Sequence, residues 1–188
     1  YLGVANYSYK DKYIFNFTWR NDGSSRFASG YRFGNFFSYG AAWNISNENF
    51  LADNTVVSNL KLRASWGEAG DQNIGLNQYQ SLFGYGADYN NQGAVYPTSF
   101  GNEIISWEKS TKLDVALDFG LFNERVTGSV AYYQRDSNDR LQSVPLSLTT
   151  GHSSQTQNVG DVRNKGIEIE LDALSLIHIS EPTRPVMI

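Results

Sequence analysis

Apolar and polar side chains alternate strictly, two residues at a time, along much of this chain, while helical 3.6-residue spacing is hard to find. Period-two alternation marks strands with one apolar face. Tyr13, Phe15, Phe17 and Trp19 alternate with Ile14, Asn16, Thr18 and Arg20. Phe37, Tyr39, Ala41, Trp43 and Ile45 alternate with Ser38, Gly40, Ala42 and Asn44. The same pattern sets Leu60, Leu62, Ala64 and Trp66 on one face, and Thr111, Leu113, Val115, Leu117 and Phe119 on another strand's face. Val126, Gly128, Val130 and Tyr132 follow, then Ile167, Ile169 and Leu171. A first segment, Tyr1 to Tyr9, predicts a further strand whose faces separate less cleanly.

None of these apolar-face positions is charged, whereas the opposite faces carry Arg20, Lys61, Arg63, Lys112, Asp114, Asp118, Glu168 and Glu170. A soluble β-sandwich also alternates, but it turns its apolar face inward and its charges to water. Here Trp and Tyr lie near strand ends on the uncharged face. That distribution fits a membrane barrel, where a basic residue facing lipid at midplane costs about 2–4 kcal/mol and aromatics girdle both interfaces. The expected fold is all-β: about seven antiparallel transmembrane strands of a larger barrel, not closed by themselves.

Connection lengths sharpen this. The joins Tyr9–Lys12 and Gly120–Glu124 are short and Ser46–Asn59 is intermediate, while Asn21–Asn35, Glu68–Ser110 and Asp136–Lys165 are long and rich in Gly, Asn and Ser. Outer-membrane barrels have short turns on the periplasmic side and long loops outside. A structureless connection of about 40 residues would count against a compact soluble domain. Composition agrees with a wall that meets lipid. The chain has 4 Trp, 12 Tyr and 11 Phe, yet only 40% hydrophobic residues and a net charge of -4. The acidic balance argues against a nucleic-acid footprint, and the absence of Cys excludes disulfides and thiolate metal sites.

Four phrases carry a family resemblance. They are Tyr7-Ser8-Tyr9-Lys10-Asp11-Lys12-Tyr13 with Arg20-Asn21-Asp22-Gly23-Ser24-Ser25-Arg26-Phe27; Asn59 to Gly67 with Gly70-Asp71-Gln72-Asn73-Ile74-Gly75; Ser106-Trp107-Glu108-Lys109-Ser110-Thr111 with Leu117 to Val126; and Asn158-Val159-Gly160-Asp161-Val162-Arg163-Asn164-Lys165-Gly166. In this order and spacing the chain resembles the SusC/RagA-type TonB-dependent outer-membrane transporters of Bacteroidetes over residues 1–173. The resemblance implies a plug inside a 22-stranded barrel, energy coupling through TonB, and a SusD-like surface lipoprotein as partner. It also implies a glycan or peptide substrate and no enzymatic activity. The chain is then expected to be a fragment of barrel wall. Leu174 to Arg184 resembles translated sequencing adapter, so residues 174–188 are expected to be a non-native tail. Alternatives are a non-transporting outer-membrane structural protein or adhesin, and a soluble carbohydrate-binding β-sandwich.

Candidate chemistry is sparse, and no cofactor is expected. His152 beside Ser153 and Ser154 lacks the separated positions from which a nucleophile–base pair is assembled. Asp136, Asn138 and Asp139 begin like a calcium loop, but Arg140 stands where a ligand oxygen is needed. Asp114 and Asp118 are about 13 Å apart at strand rise, too far for paired glycosidase carboxylates. The charged-face residues listed above are expected to line the lumen. Tyr79, Phe83, Tyr85, Tyr89, Tyr96 and Trp107, in or near the longest loop, are candidates for substrate or partner contact, or for packing that loop upon itself. Arg26 is read as available for ion pairing.

Overall fold

The computed structural model describes residues 1–52 and 54–174, with Tyr89 described through its backbone alone. The expected non-native tail therefore lies outside the described residues apart from Leu174.

Seven strands form one antiparallel sheet: β1 (Leu2–Tyr9), β2 (Tyr13–Gly23), β3 (Phe33–Asn44), β4 (Val57–Asp71), β7 (Glu108–Leu121), β8 (Val126–Asn138) and β11 (Val162–Ala173). They pair in that order, so β1 and β11 are open edges of the described sheet. Two small hairpins stand apart: β5 (Leu82–Tyr89) with β6 (Gln92–Ser99), and β9 (Leu141–Pro145) with β10 (Ser154–Asn158). No described element is an α-helix.

Local chemistry sets the tight ends. Lys10 and Asp11 both adopt left-handed φ (52° and 54°) in the three-residue connection between β1 and β2, which the Lys12 N–H closes onto the Tyr9 carbonyl. Phe122, Asn123 and Glu124 do likewise between β7 and β8. Between β3 and β4 the chain makes two single 3₁₀ turns, Ile45–Asn47 and Asn49–Leu51. Ile45 thus leaves the apolar face on which its alternation had placed it.

Register turns the alternation into two continuous faces. Ala5, Phe17, Tyr39, Trp66 and Leu113 form one cross-strand row. Tyr7, Phe15, Ala41, Ala64, Val115, Tyr132 and Ile167 form the next. The strands nevertheless run past the alternating stretches; β4 and β8, for example, continue to Asp71 and Asn138. Both faces are polar in these extensions, so periodicity vanishes while the hydrogen-bond ladder goes on. The long connections likewise hold the two hairpins rather than structureless loop.

Apart from Ala116, the buried core lies away from the middle of the wall. Phe27, Phe36, Ile74, Ile105 and Trp107 cluster where the long connections converge, with Tyr79 and Leu141 packed against them.

Candidate functional site

The wall offers one charged face. Register puts Arg20, Lys61, Arg63, Lys112, Asp114, Asp118, Glu168 and Glu170 all on the side opposite the apolar rows. Arg63 binds Asp118 diagonally across β4 and β7, with Nε 2.9 Å from Oδ2 and Nη2 3.2 Å from Oδ1. Lys112 lies 3.1 Å from Asp114, and Arg20 lies 2.7 Å from Asp22 with its guanidinium over the Phe36 ring. Asp114 and Asp118 are therefore each matched to a cation.

The apolar face ends in polar rows at both margins. Toward the long connections, the Asn35 side-chain oxygen accepts from Trp19 Nε1 (3.2 Å) and from Asn21 Nδ2 (3.0 Å). Further along, Tyr132 donates to Gln134, Gln134 donates to Asp136, and Arg163 grips Asp136 at 2.7 and 3.0 Å. Toward the short turns, one carboxylate gathers the margin. Glu48 accepts from Lys12 Nζ (2.9 Å), Tyr13 OH (2.8 Å) and Trp43 Nε1 (3.2 Å). These donors hold its carboxyl below the ordinary glutamate value, the Lys12 hydrogen bond contributing most. Asn44 and Asn47 add side-chain hydrogen bonds to the Asp11 carbonyl, joining the β3–β4 turn to the β1–β2 turn. Glu48 has no motif, and alternation does not reach it. Its one signal is an acidic residue in a turn that closes between Tyr13 and Trp43. On β7 the apolar column from Leu113 to Leu121 spans about 27 Å at strand rise, or about 19–22 Å along the normal at a 35–45° tilt. That is close to the apolar band of an outer-membrane barrel, about 25 Å tall.

Beyond the charged margin, the connections knit into a cap. Trp107 packs on Phe27 (5.2 Å between ring centroids) and edge-on to Phe36 (5.6 Å), and its Nε1 donates to the Arg32 carbonyl. Phe36 reaches this cluster because Gly70 leaves room: a Cβ there would sit 2.1 Å from the ring. Arg26 donates to the carbonyls of Gln72 and Ile74 rather than to a carboxylate. Its role is to tie two connections by their main chains, not the ion pairing expected from sequence. Asn158 both donates to the Ser106 carbonyl (2.9 Å) and accepts from the Ser106 N–H (2.8 Å). Asn102 and Gln155 clamp the same neighbourhood through Thr156 and Gly101 carbonyls. The phrases that carry the family resemblance thus meet one another in space.

The loop aromatics divide. Trp107 is only 7% exposed, so its ring is spent on packing, and Tyr79 leans on the same core. Phe83 (61% exposed), Tyr85 (81%) and Tyr96 (45%) project from the β5–β6 hairpin. Pairing of Phe83 with Pro97 and of Tyr85 with Val95 gathers one exposed apolar face. Tyr96 lies on the other face, opposite Gly84. The Tyr89 side chain lies outside the described residues. The His152 ring lies tilted beside Phe100, 5.5 Å between centroids, and the calcium-like Asp136 is held by Arg163. Among the described residues no group of three or more His, Asp or Glu side chains could hold a metal.

This geometry matches known proteins along almost the whole chain. The model of the TonB dependent receptor-like β-barrel family matches residues 2–177. The TonB-dependent receptor SusC of Bacteroides thetaiotaomicron is 42% identical across 94% of this chain, and TonB-dependent receptor P3 of Formosa agariphila is 39% identical across 93%. The RagAB peptide importer in its closed-closed state superposes with a TM-score of 0.84 at 33% identity, covering 92% of this chain and 19% of that one. The chain spans 18% of the length of SusC and of P3. The chain belongs to the TonB-dependent receptor β-barrel family, among relatives that include SusC.

Proposed function

We propose that this chain is a wall segment of an outer-membrane TonB-dependent importer of oligosaccharides or peptides, working with a SusD-like surface lipoprotein. The observation that carries the reading is the pair of faces. One is apolar over the height of a membrane band and fringed at both margins by hydrogen-bonded Trp, Tyr and Asn. The other carries eight charges along the wall, while on the apolar side Asp136, Arg163 and Lys165 stand toward the long connections. In this reading the apolar face meets lipid, and Arg20, Lys61, Arg63, Lys112, Asp114, Asp118, Glu168 and Glu170 line the lumen. The short turns face the periplasm, and the cap and hairpins stand outside.

Residues 1–173 act as wall and loops with no enzymatic role, and residues 174–188 are a non-native tail. Energy coupling through TonB, the plug and the rest of the barrel belong to the whole receptor. Phe83, Tyr85 and Tyr96 are the loop aromatics best presented to a substrate or partner. The relative whose name includes a peptide importer supports import as the activity, as does the kinship with SusC. The test is uptake by cells carrying the full-length receptor with Phe83→Ala and Tyr85→Ala together. Uptake of the cognate substrate is expected to fall while the amount of assembled receptor stays constant. Unchanged uptake across a panel of glycans and peptides that wild type imports would remove these residues from the reading.

A further inference from the structure

The apolar face is not uniformly convex. Ala5, Ala41 and Ala64 leave a groove of about 490 Å³ between the side chains of Tyr7 and Phe15 on one side and Phe17, Tyr39 and Trp66 on the other. Phe17, Tyr39 and Trp66 form a continuous ledge of rings, with centroids 5.3 and 5.7 Å apart along the row. The groove's lining includes no charged residue.

Its position along β3 is defined by the two margins. The groove residues Tyr39 and Ala41 lie between Trp43, which donates to Glu48, and Asn35, which accepts from Trp19. Tyr39 is midway between them, and Ala41 is closer to Trp43, the side of the short turns. Directly below the Tyr7 wall comes Tyr9, one pleat or about 7 Å away at strand rise. The Lys10 ammonium sits over the Tyr9 ring, 5.2 Å from its centroid. Lys10 makes no ion pair among the described residues. Its neighbour Lys12, by contrast, is committed to Glu48.

A cation at the water margin, two tyrosines leading away from it and an uncharged groove beyond them match one kind of molecule. We propose that this strip is a seat for a phospholipid of the periplasmic leaflet. Lys10 takes the phosphate, and one acyl chain runs past Tyr9 and Tyr7 into the groove over Ala41 and Ala64. The seat rests on the lipid-facing reading of the apolar face. Its physical basis is that alanines beside fixed aromatic walls hold a chain in contact on three sides, where a flat wall offers one. A phosphate at Lys10 replaces hydration by a charge-assisted contact.

The test uses the full-length receptor in vesicles of phosphatidylethanolamine and phosphatidylglycerol. Phospholipid retained after detergent exchange is counted by native mass spectrometry for wild type, Ala64→Phe, which fills the groove, and Lys10→Gln. Retained phosphatidylglycerol is expected to be lost in Ala64→Phe and to fall about fivefold in Lys10→Gln, the usual weight of one basic residue at an anionic surface. Lys10 lies in a turn outside the band, so its variant assembles even if Ala64→Phe does not. Equal retention in wild type and Lys10→Gln overturns the seat. A Leu117→Trp reporter on the same face, read by bromolipid quenching, separates the two levels. Quenching with unchanged retention sinks the seat alone, and absence of quenching sinks the face assignment with it. A photoreactive group at Ala64 that crosslinks to protein rather than to lipid in native outer membranes would overturn the seat in favour of a protein covering the groove.

Discussion

Replacing Leu117 by arginine tests the two faces where they are most sensitive. Leu117 is the middle member of the β7 column from Leu113 to Leu121 and pairs with Leu62 and Val130. About 13–14 Å of strand separate it from either end of that column at strand rise. After a 35–45° tilt it lies about 10 Å inside each margin, where an arginine costs about 2–4 kcal/mol, against about 0–1 kcal/mol near an interface. Snorkelling of the long stem recovers part of this. The expected loss is then close to the lower bound, about 2 kcal/mol or about thirtyfold in a folding equilibrium. The companion variant is Ser129→Arg, one residue from Val130 but on the other face, in one row between Asp118 and Glu170. A cation there meets carboxylates. Both variants are made in the full-length receptor and expressed in outer membranes. The assembled barrel is followed by its heat-dependent gel migration and by the urea concentration that abolishes it. Leu117→Arg is expected to lower both the assembled fraction and the urea midpoint, with Ser129→Arg near wild type. Equal losses refute the face assignment, and a larger loss in Ser129→Arg inverts it.

Other outcomes follow from the cap and the margins. Trp107→Ala removes a ring packed on Phe27 and Phe36 and the Arg32 hydrogen bond; a truncation of this kind costs about 3–5 kcal/mol. Faster hydrogen exchange in the cap with an unchanged wall is expected, and loss of the whole barrel would contradict a separate cap. Gly101→Val sets a side chain against main chain, since a Cβ there lies 2.3 Å from the Gln80 carbonyl carbon and 2.5 Å from the Ser81 nitrogen. Proteolysis within residues 82–99 is expected to rise while gel migration of the barrel stays normal. Glu48 supplies a pH dependence. Its carboxyl is depressed by Lys12, Tyr13 and Trp43, so its stabilisation is full above the unfolded-state glutamate value and is lost as pH falls through the lower folded-state value. The gap in urea midpoint between wild type and Glu48→Gln should close as pH drops below the ordinary glutamate range. A gap that stays constant down to strongly acid pH would remove Glu48 from this role.

The wall was legible because its physics is periodic. Phe15, Phe17, Tyr39 and Trp66 announce a face by alternation alone, and register then aligns them. The alternation stopped where both strand faces become polar. That is why Gly70 and Asp71 on β4, or Asp136 to Asn138 on β8, read as loop while the ladder continued through them. The β5–β6 hairpin escaped notice for another reason. Its turn is Asn90-Asn91, both in left-handed φ, but its strands carry Gly84, Gly86 and Gly93 and a register shift between Tyr85 and Ala87. Strands so broken have no clean period. Glu48, Asn158 and Arg26 were invisible as partners because their ligands are a residue from another turn or a main-chain carbonyl, and carbonyls have no sequence. Trp107 illustrates the ambiguity of aromatics. Ring size favours contact with a ligand and burial equally, and only the positions of Phe27 and Phe36 decide between them.

The pinched base of the β5–β6 hairpin has a corollary for engineering. The chain enters and leaves it beside itself, through Ser81 and Gly101, with Leu82 bound to Ser99 and Gly101 to Ser81. Whatever is written between those two points can change in length or composition without asking the wall to move. The hairpin is therefore a cassette on a fixed socket. Grafting a foreign segment in place of residues 82–99 is expected to leave the wall's register unchanged.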